Sequence, residues 1–259
     1  MRSTNLSRRF PRGSTGLILA VAAGLTLAGC GASTTSPGTG TQQAATGVRV
    51  LWMGDSIAGA QAPALEAALK AAGVAFKNAT SNGGGNVVAG DHEVTAMGAR
   101  ETWKTLQENL ASFRPTVIAY QITTYDWGTA RQQLSAYQKL SRTAENAGAE
   151  LVLVSAPPFK IDDFFKPHEK AIKSAPAMAA KAAHGRYLDA SALWGSDYAA
   201  AKAQRAKDGI HSCQQGSAAF ATWFGKQLGE LAGFAPAAPA AWATGPWTGD
   251  ERFAKLGCG

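Results

Sequence analysis

The chain has 259 residues, 46% of them hydrophobic and 17% charged, with 25 Lys and Arg against 18 Asp and Glu. Four of those arginines fall in the first 12 residues, leaving 21 basic against 18 acidic residues and no dense Lys/Arg run, which excludes a nucleic-acid partner. Three cysteines without a C-x-x-C pair exclude a structural zinc site.

Residues 1–15 carry Arg2, Arg8, Arg9 and Arg12 and no acid, and residues 16–28 form an apolar run too short to span a bilayer comfortably. This is the layout of a secretory signal, assigned to residues 1–29. Its end, Leu27-Ala28-Gly29-Cys30, resembles the lipobox of bacterial lipoproteins. That resemblance implies cleavage before Cys30, lipidation of its thiol, and an exported protein held by a lipid anchor on the outer face of the bacterial cell membrane. The alternative is ordinary cleavage nearby, with Cys30 an incidental thiol. Residues 30–47 contain no charge and consist largely of Ser, Thr, Gly, Gln and Ala; they support no core and read as a flexible tether. About 210 residues follow, enough for one domain with a sizeable core, expected to be a monomer. If Cys30 carries lipid, Cys213 and Cys258 remain as an even pair. In an exported protein that favours a disulfide over two buried free thiols.

Residues 48–53 are apolar apart from Arg49, as in a strand covered on both faces. Residues 60–72 show helical spacing, with Pro63 admissible only in a first turn. Further strands are predicted at 74–78, 116–121, 151–154 and 186–188, and helices at 99–113, 130–147, 168–183 and 214–231. Pro176 is expected to kink or split the helix that contains it. The loop at 81–86, Ser-Asn-Gly-Gly-Gly-Asn, is backbone-permissive. This alternation predicts an α/β domain over 48–232, with a parallel sheet covered by helices on both faces. Residues 233–259 lack a period and read as an extended tail wrapped on the domain and pinned by Cys258.

Two stretches carry chemistry. The first strand stops at Gly54-Asp55-Ser56 just before a helix, where free backbone N–H groups collect and can stabilise an oxyanion. Ser56 is placed there as a nucleophile, although a serine at such a point also serves as a helix cap. Near the far end, Asp208-Gly209-Ile210-His211 can set a carboxylate against one imidazole nitrogen, leaving the other to activate a serine. Either motif is weak alone; together in one α/β chain they point to a catalytic set of Ser56, His211 and Asp208.

These blocks resemble the first and last blocks of the SGNH or GDSL hydrolases. The resemblance implies a three-layer α/β/α, flavodoxin-like fold around a central five-stranded parallel sheet. It implies Ser56 as nucleophile, His211 as general base and then acid, Asp208 as its orienting group, and no metal or other cofactor. It also implies an oxyanion hole from Ser56 and a second-block glycine, here Gly83, with Gly84 and Gly85 leaving the register open. The family's third block, Gly-x-Asn-Asp, is replaced by Thr123-Thr124-Tyr125-Asp126-Trp127-Gly128, which holds no asparagine. Another group then substitutes, or the hole rests on backbone N–H groups alone. Gly84, Tyr125, Asp126 and Trp127 become candidate substrate contacts. The missing asparagine, together with Ser212-Cys213 after the histidine, resembles extracytoplasmic SGNH domains linked to O-acyltransferases of bacterial surface glycans. That resemblance implies an esterase or O-acyltransferase acting on O-acyl, chiefly acetyl, esters of envelope glycan or glycolipid. A catalytically inactive glycan-binding lipoprotein and a purely structural lipoprotein are the alternatives.

Other residues admit two readings each. His92 is a metal ligand or a solvated loop residue. Phe164 and Phe165, beside Asp162 and Asp163, belong to a substrate lid or a packed loop. Trp127 and Trp194 form a ligand platform or pack in the core. Asp189 braces the loop leading to Asp208, and His168 and His184 lie at the surface.

Overall fold

A computed structural model describes residues 45–184 and 186–258. The leader, Cys30 and nearly all of the tether lie outside the described residues. Among the described residues, β1 (Arg49–Met53), β2 (Ala75–Asn78), β3 (Val117–Gln121), β4 (Glu150–Val154) and β5 (Tyr187–Leu188) form one sheet in the order β2-β1-β3-β4-β5. Every neighbouring pair is parallel.

Side chains alternate across this sheet, and each face buries its own core. Val50, Trp52, Val117, Ala119, Val152 and Val154 face α1 (Ser56–Ala71) and α6 (Gln214–Ala232). Leu51, Met53, Ile118, Tyr120, Leu151 and Leu153 face the other layer, built from α2 (Glu93–Ser112), α3 (Ala130–Asn146) and α4 (Glu169–Ala182). The three-layer α/β/α architecture expected from the sequence is therefore the one observed. Because β1 lies between β2 and β3, the direction of winding reverses beside it. That reversal opens a crevice beyond the carboxyl ends of β1 and β3, where open α/β sheets bind ligands.

The element boundaries depart from expectation where non-local contacts decide them. Helix α1 begins at Ser56, which puts Pro63 well inside it rather than in its first turn. Proline supplies no N–H, so the carbonyl of Gly59, four residues earlier, has no donor within the helix. The Arg252 guanidinium donates to that carbonyl through Nη1. Pro176 likewise sits inside an unbroken α4. The preceding turn is held by side chains, with Gln133 Nε2 and Ser174 Oγ donating to the Ala171 carbonyl at 2.7 and 2.9 Å. Helix α2 starts at Glu93, ahead of the predicted residue 99, because His92 Nδ1 caps it by accepting from the Val94 N–H at 3.2 Å.

The chain beyond α6 is not an extended tail. It makes 3-10 turns at Pro239–Ala241 and Pro246–Gly249 and a short helix, α7 (Glu251–Lys255). A four-residue helix, α5 (Ser191–Trp194), lies earlier, after β5. Trp242 and Phe253 are buried against the domain. Cys258 is bonded to Cys213 across a sequence separation of 45, with Cα atoms 5.6 Å apart. Closing that loop restricts the unfolded chain, so replacing both cysteines by serine is expected to lower the unfolding free energy by about 4 kcal/mol on the chain-entropy account. Urea denaturation of the two proteins would measure the difference; equal midpoints would contradict it.

Candidate active site

The site begins at the end of β1. Gly54 adopts φ +151°, and a Cβ there would lie 2.6 Å from the Ala58 Cβ, so the sharp strand-to-helix turn requires glycine. Asp55 is the helix cap: its Oδ1 accepts from the Ile57 N–H at 2.9 Å. Ser56 occupies the first helical position instead, and its hydroxyl is released from capping duty. Asp55 Oδ2 accepts from the N–H and the hydroxyl of Thr124 at 2.7 and 2.9 Å, joining the end of β1 to the loop after β3. Burial pushes the Asp55 carboxyl above its ordinary pKa despite these bonds.

His211 comes to the same point from the loop before α6. Its Nε2 lies 2.8 Å from Ser56 Oγ, and its Nδ1 lies 2.6 Å from Asp208 Oδ2. With Nδ1 donating to the carboxylate, Nε2 is left to accept the serine proton. Asp208 Oδ1 also accepts from the N–H groups of Ile210 and His211, at 2.8 and 3.0 Å. Burial pushes the Asp208 carboxyl up, but the His211 and backbone bonds together outweigh it and hold the pKa below the usual value.

The loop itself is braced from several sides. Ala206 N–H donates to the His211 carbonyl at 2.7 Å, and Lys160 N–H donates to the Gly209 carbonyl at 2.9 Å. Arg205 donates to the Ile210 carbonyl at 3.2 Å and sits 4.6 Å over the Trp194 ring. Burial lowers the Arg205 pKa to about 10, against the pull of Asp208.

Ser56, His211 and Gly83 line one cleft of about 580 Å³. Gly83 is exposed there, and among the described residues no acceptor takes its N–H. The first N–H of α1, on Ser56, is also without an intrahelical partner. The second-block loop is held down by Gly85, at φ +77°. A Cβ on Gly85 would lie 2.1 Å from the Gly54 carbonyl oxygen, so the loop packs directly on the turn that carries Ser56.

Several candidate substrate contacts need correction. Gly84 is buried beside Ser81 and Gly98 and does not line the cleft. Asp126 is fully buried, with both oxygens consumed by the protein. It accepts from the hydroxyls of Tyr120 and Tyr137 and from the N–H groups of Val87, Val88 and Thr123. It is an internal brace of the third-block loop, and burial raises its pKa to about 6. Trp127 is also buried, stacked on His168 with ring centroids 3.6 Å apart, and is not an open platform beside Ser56. Tyr125 is half-buried, and burial, followed by the charges of Asp55 and Asp162, pushes its hydroxyl above the ordinary pKa.

Of the remaining alternatives, Phe165 and Trp194 resolve as packing. Phe165 is buried against Tyr125 and Trp127 while Phe164 is exposed, and Trp194 is a core residue stacked on Phe220. His168 is a half-buried stacking partner of Trp127 rather than a free surface residue. Asp189 braces its own loop, accepting from the Ser191 N–H at 2.9 Å. Among the described residues no cluster of three or more His, Cys, Asp or Glu could hold a metal ion.

Sequence reasoning missed three parts of the site: the Asp55–Thr124 tie, the Arg205 brace, and the wall formed by the segment around α7. Asp250, Arg252 and Lys255 line the same cleft as Gly83. Two signals bore on this wall: the Cys213–Cys258 pairing, which brings the end of the chain beside His211, and Pro63, whose missing N–H leaves a helix carbonyl for another donor.

A family model described as an SGNH domain fused to AT3 domains matches residues 27–214. No curated protein matches the chain. Among solved structures, similarity extends to an inferred acylhydrolase of Bacteroides fragilis, at 14% identity, 73% coverage of this chain, 90% of that one and a TM-score of 0.50. The psychrotrophic esterase EstA of Pseudoalteromonas sp. aligns at 13% identity, with coverages of 71% and 98% and a TM-score of 0.49. A catalytic mutant of Axe2, an acetylxylan esterase from Geobacillus stearothermophilus, aligns at 14% identity, with coverages of 72% and 96% and a TM-score of 0.48.

The Asp126 carboxyl gives an unusual pH signature. Its folded pKa of about 6 exceeds its ordinary 3.8, so folding favours the protonated form. Its contribution is full below pH about 4 and is lost as pH rises through about 6, on the order of 2–3 kcal/mol. Urea denaturation at pH 4 and pH 7 should show that the stability lost in Asp126→Asn is larger at pH 4; a loss that grows with pH would contradict this. Gly85→Ala should lower stability by about 3 kcal/mol or more through its left-handed φ and the overlap with Gly54. An unchanged Tm for that variant would show that the loop does not depend on the contact.

Proposed function

The chain belongs to the SGNH domain family of esterase-type serine hydrolases, and on that premise we propose that it is a cell-envelope esterase or O-acyltransferase acting on short O-acyl esters of glycan or glycolipid. The observation that carries the reading is the hydrogen-bonded chain Ser56–His211–Asp208, at 2.8 and 2.6 Å, opening into a cleft of mixed polar and apolar lining. Ser56 Oγ attacks the ester carbonyl while His211 Nε2 takes its proton. Asp208 holds the imidazole in the required tautomer and stabilises the imidazolium that forms. The negative charge developing on the carbonyl oxygen is met by the N–H groups of Ser56 and Gly83, with no third-block asparagine to assist. His211 returns the proton to the departing alcohol oxygen, leaving the acyl group on Ser56. Water or a sugar hydroxyl, deprotonated by His211, then accepts that group.

Short acyl groups and hydroxyl-rich partners suit the walls. Asn78, Thr80, Asn82, Asp250 and Arg252 line the cleft and offer polar groups to a hydroxyl-rich partner. The transferase half of the reading is supported by the family's described fusion to AT3 domains. Export is supported by the leader and by the Cys213–Cys258 disulfide, since such bonds persist in oxidising compartments. A lipid on Cys30 would anchor the monomer to the outer face of the membrane; no nucleic acid is a partner. Among the described residues no helix is long and apolar enough to cross a membrane.

A soluble form beginning at Thr46 should hydrolyse p-nitrophenyl acetate, and Ser56→Ala should reduce kcat/KM by about 1,000-fold or more. A fluorophosphonate should label Ser56, as read by peptide mass spectrometry. A folded wild-type protein without turnover would sink the esterase reading and favour an inactive binding domain. Mass spectrometry of oligosaccharides added to the reaction would show acylated sugar if transfer competes with hydrolysis.

A further inference from the structure

The segment around α7 lies beyond residues 27–214, the part matched by the family model, yet it forms one wall of the cleft that holds Ser56 and His211. It is fixed there from three directions. Phe253 is buried in the domain, Gln214 Nε2 donates to the Thr248 carbonyl at 3.1 Å, and Cys258 is bonded to Cys213, two residues after His211. Its deepest attachment is the Arg252 guanidinium on the Gly59 carbonyl, one turn after Ser56 in α1. This wall is therefore built into the site and is not a loose terminus lying across it.

Its polar atoms are only partly used. Arg252 Nε donates to Asp250 Oδ1 at 2.8 Å, and the Arg252 N–H donates to the same oxygen at 3.0 Å. Among the described residues, Arg252 Nη2 and Asp250 Oδ2 have no hydrogen-bond partner, and both side chains line the cleft. A guanidinium has five N–H donors, so a ligand beside Ser56 meets free donors on Arg252 and a free acceptor on Asp250. The two charges cancel at contact distance. What remains is adjacent donors and an acceptor without net charge, which matches a hydroxyl of a neutral sugar, itself both donor and acceptor. An acidic sugar would gain little from an arginine that already holds a carboxylate and would be repelled by Asp250.

We propose that Asp250 and Arg252 form a hydroxyl-binding subsite that selects a neutral sugar as the glycan partner of the Ser56 centre. This rests on the esterase reading and deepens it by naming the class of glycan. Arg252 has a second, positioning part, because the bond that places its free Nη2 also holds the helix of the nucleophile.

Binding can be measured without turnover, using Ser56→Ala protein, a neutral xylotetraose probe and an acidic tetragalacturonate probe in titration calorimetry. The Ser56→Ala protein should bind the neutral probe more tightly than the acidic one. Adding Asp250→Ala or Arg252→Lys should weaken xylotetraose binding about tenfold or more, as expected for hydrogen bonds to charged groups. Asp250→Asn should shift preference toward tetragalacturonate by uncovering the Arg252 charge, an effect that loss of structure alone would not produce. Thermal denaturation of each variant identifies any that fails to fold, and Arg252→Lys keeps the charge if Asp250→Ala proves unstable. Absence of xylotetraose binding to the Ser56→Ala protein, or folded variants that bind it as well as that parent, would overturn the subsite. The esterase reading is judged separately by wild-type turnover of p-nitrophenyl acetate, so one can fail while the other stands.

Discussion

The site depends on one buried carboxylate. Asp55 is 1% exposed, yet it caps α1 through Ile57 and grips Thr124 through its other oxygen. A carboxylate taken from water at that depth is tolerated only because each oxygen finds a donor. In finding them it fixes the start of the helix, the end of β1 and the loop after β3 relative to one another. Ser56, next in the chain, inherits that rigidity while its own hydroxyl stays uncommitted. A serine that had to cap its own helix would have its oxygen turned toward the backbone and away from His211.

Three aspartates illustrate how environment divides labour. Asp55 and Asp126 are buried, and burial dominates both, raising their pKa values. Both act as braces. Asp208 is partly open to solvent and surrounded by donors, one of them His211, and stays ionised more readily than a free aspartate. Only the third has its charge available to steady a histidine that gains a proton. The loop carrying Asp208 is held by Arg205, packed over Trp194, and by the Lys160 backbone.

The strands and most helices were legible because their signals are local. The near-continuous apolar runs of β1, β3 and β4 serve both faces of a covered sheet, and α3 and α6 carry long helical periods. The pairing of Ser56 with His211 was legible because their motifs are short and sit at strand and helix ends. What escaped was carried by distant partners. Asp126 looked free to meet a substrate because nothing nearby shows that Tyr120, Tyr137 and the Val87–Val88 backbone converge on it. Pro63 argued for a later helix start because its compensating donor is separated from Gly59 by 193 positions. The segment around α7 has no periodicity to announce that it borders the cleft.

Pro63 gives the cleft a feature that no motif records. A proline inside a helix is ordinarily a local flaw, leaving one carbonyl bare at a predictable height on one face of α1. Here the bare carbonyl works as an address. It marks, within one turn of the nucleophile, where a late-arriving segment must land, and it accepts only a segment that brings a donor of its own. Filling the position with a residue that has an N–H would give that carbonyl a donor within the helix, which Arg252 would then have to share. The irregularity of α1 is thus put to use in the wall of the cleft, where Arg252 supplies the donor that the helix lacks.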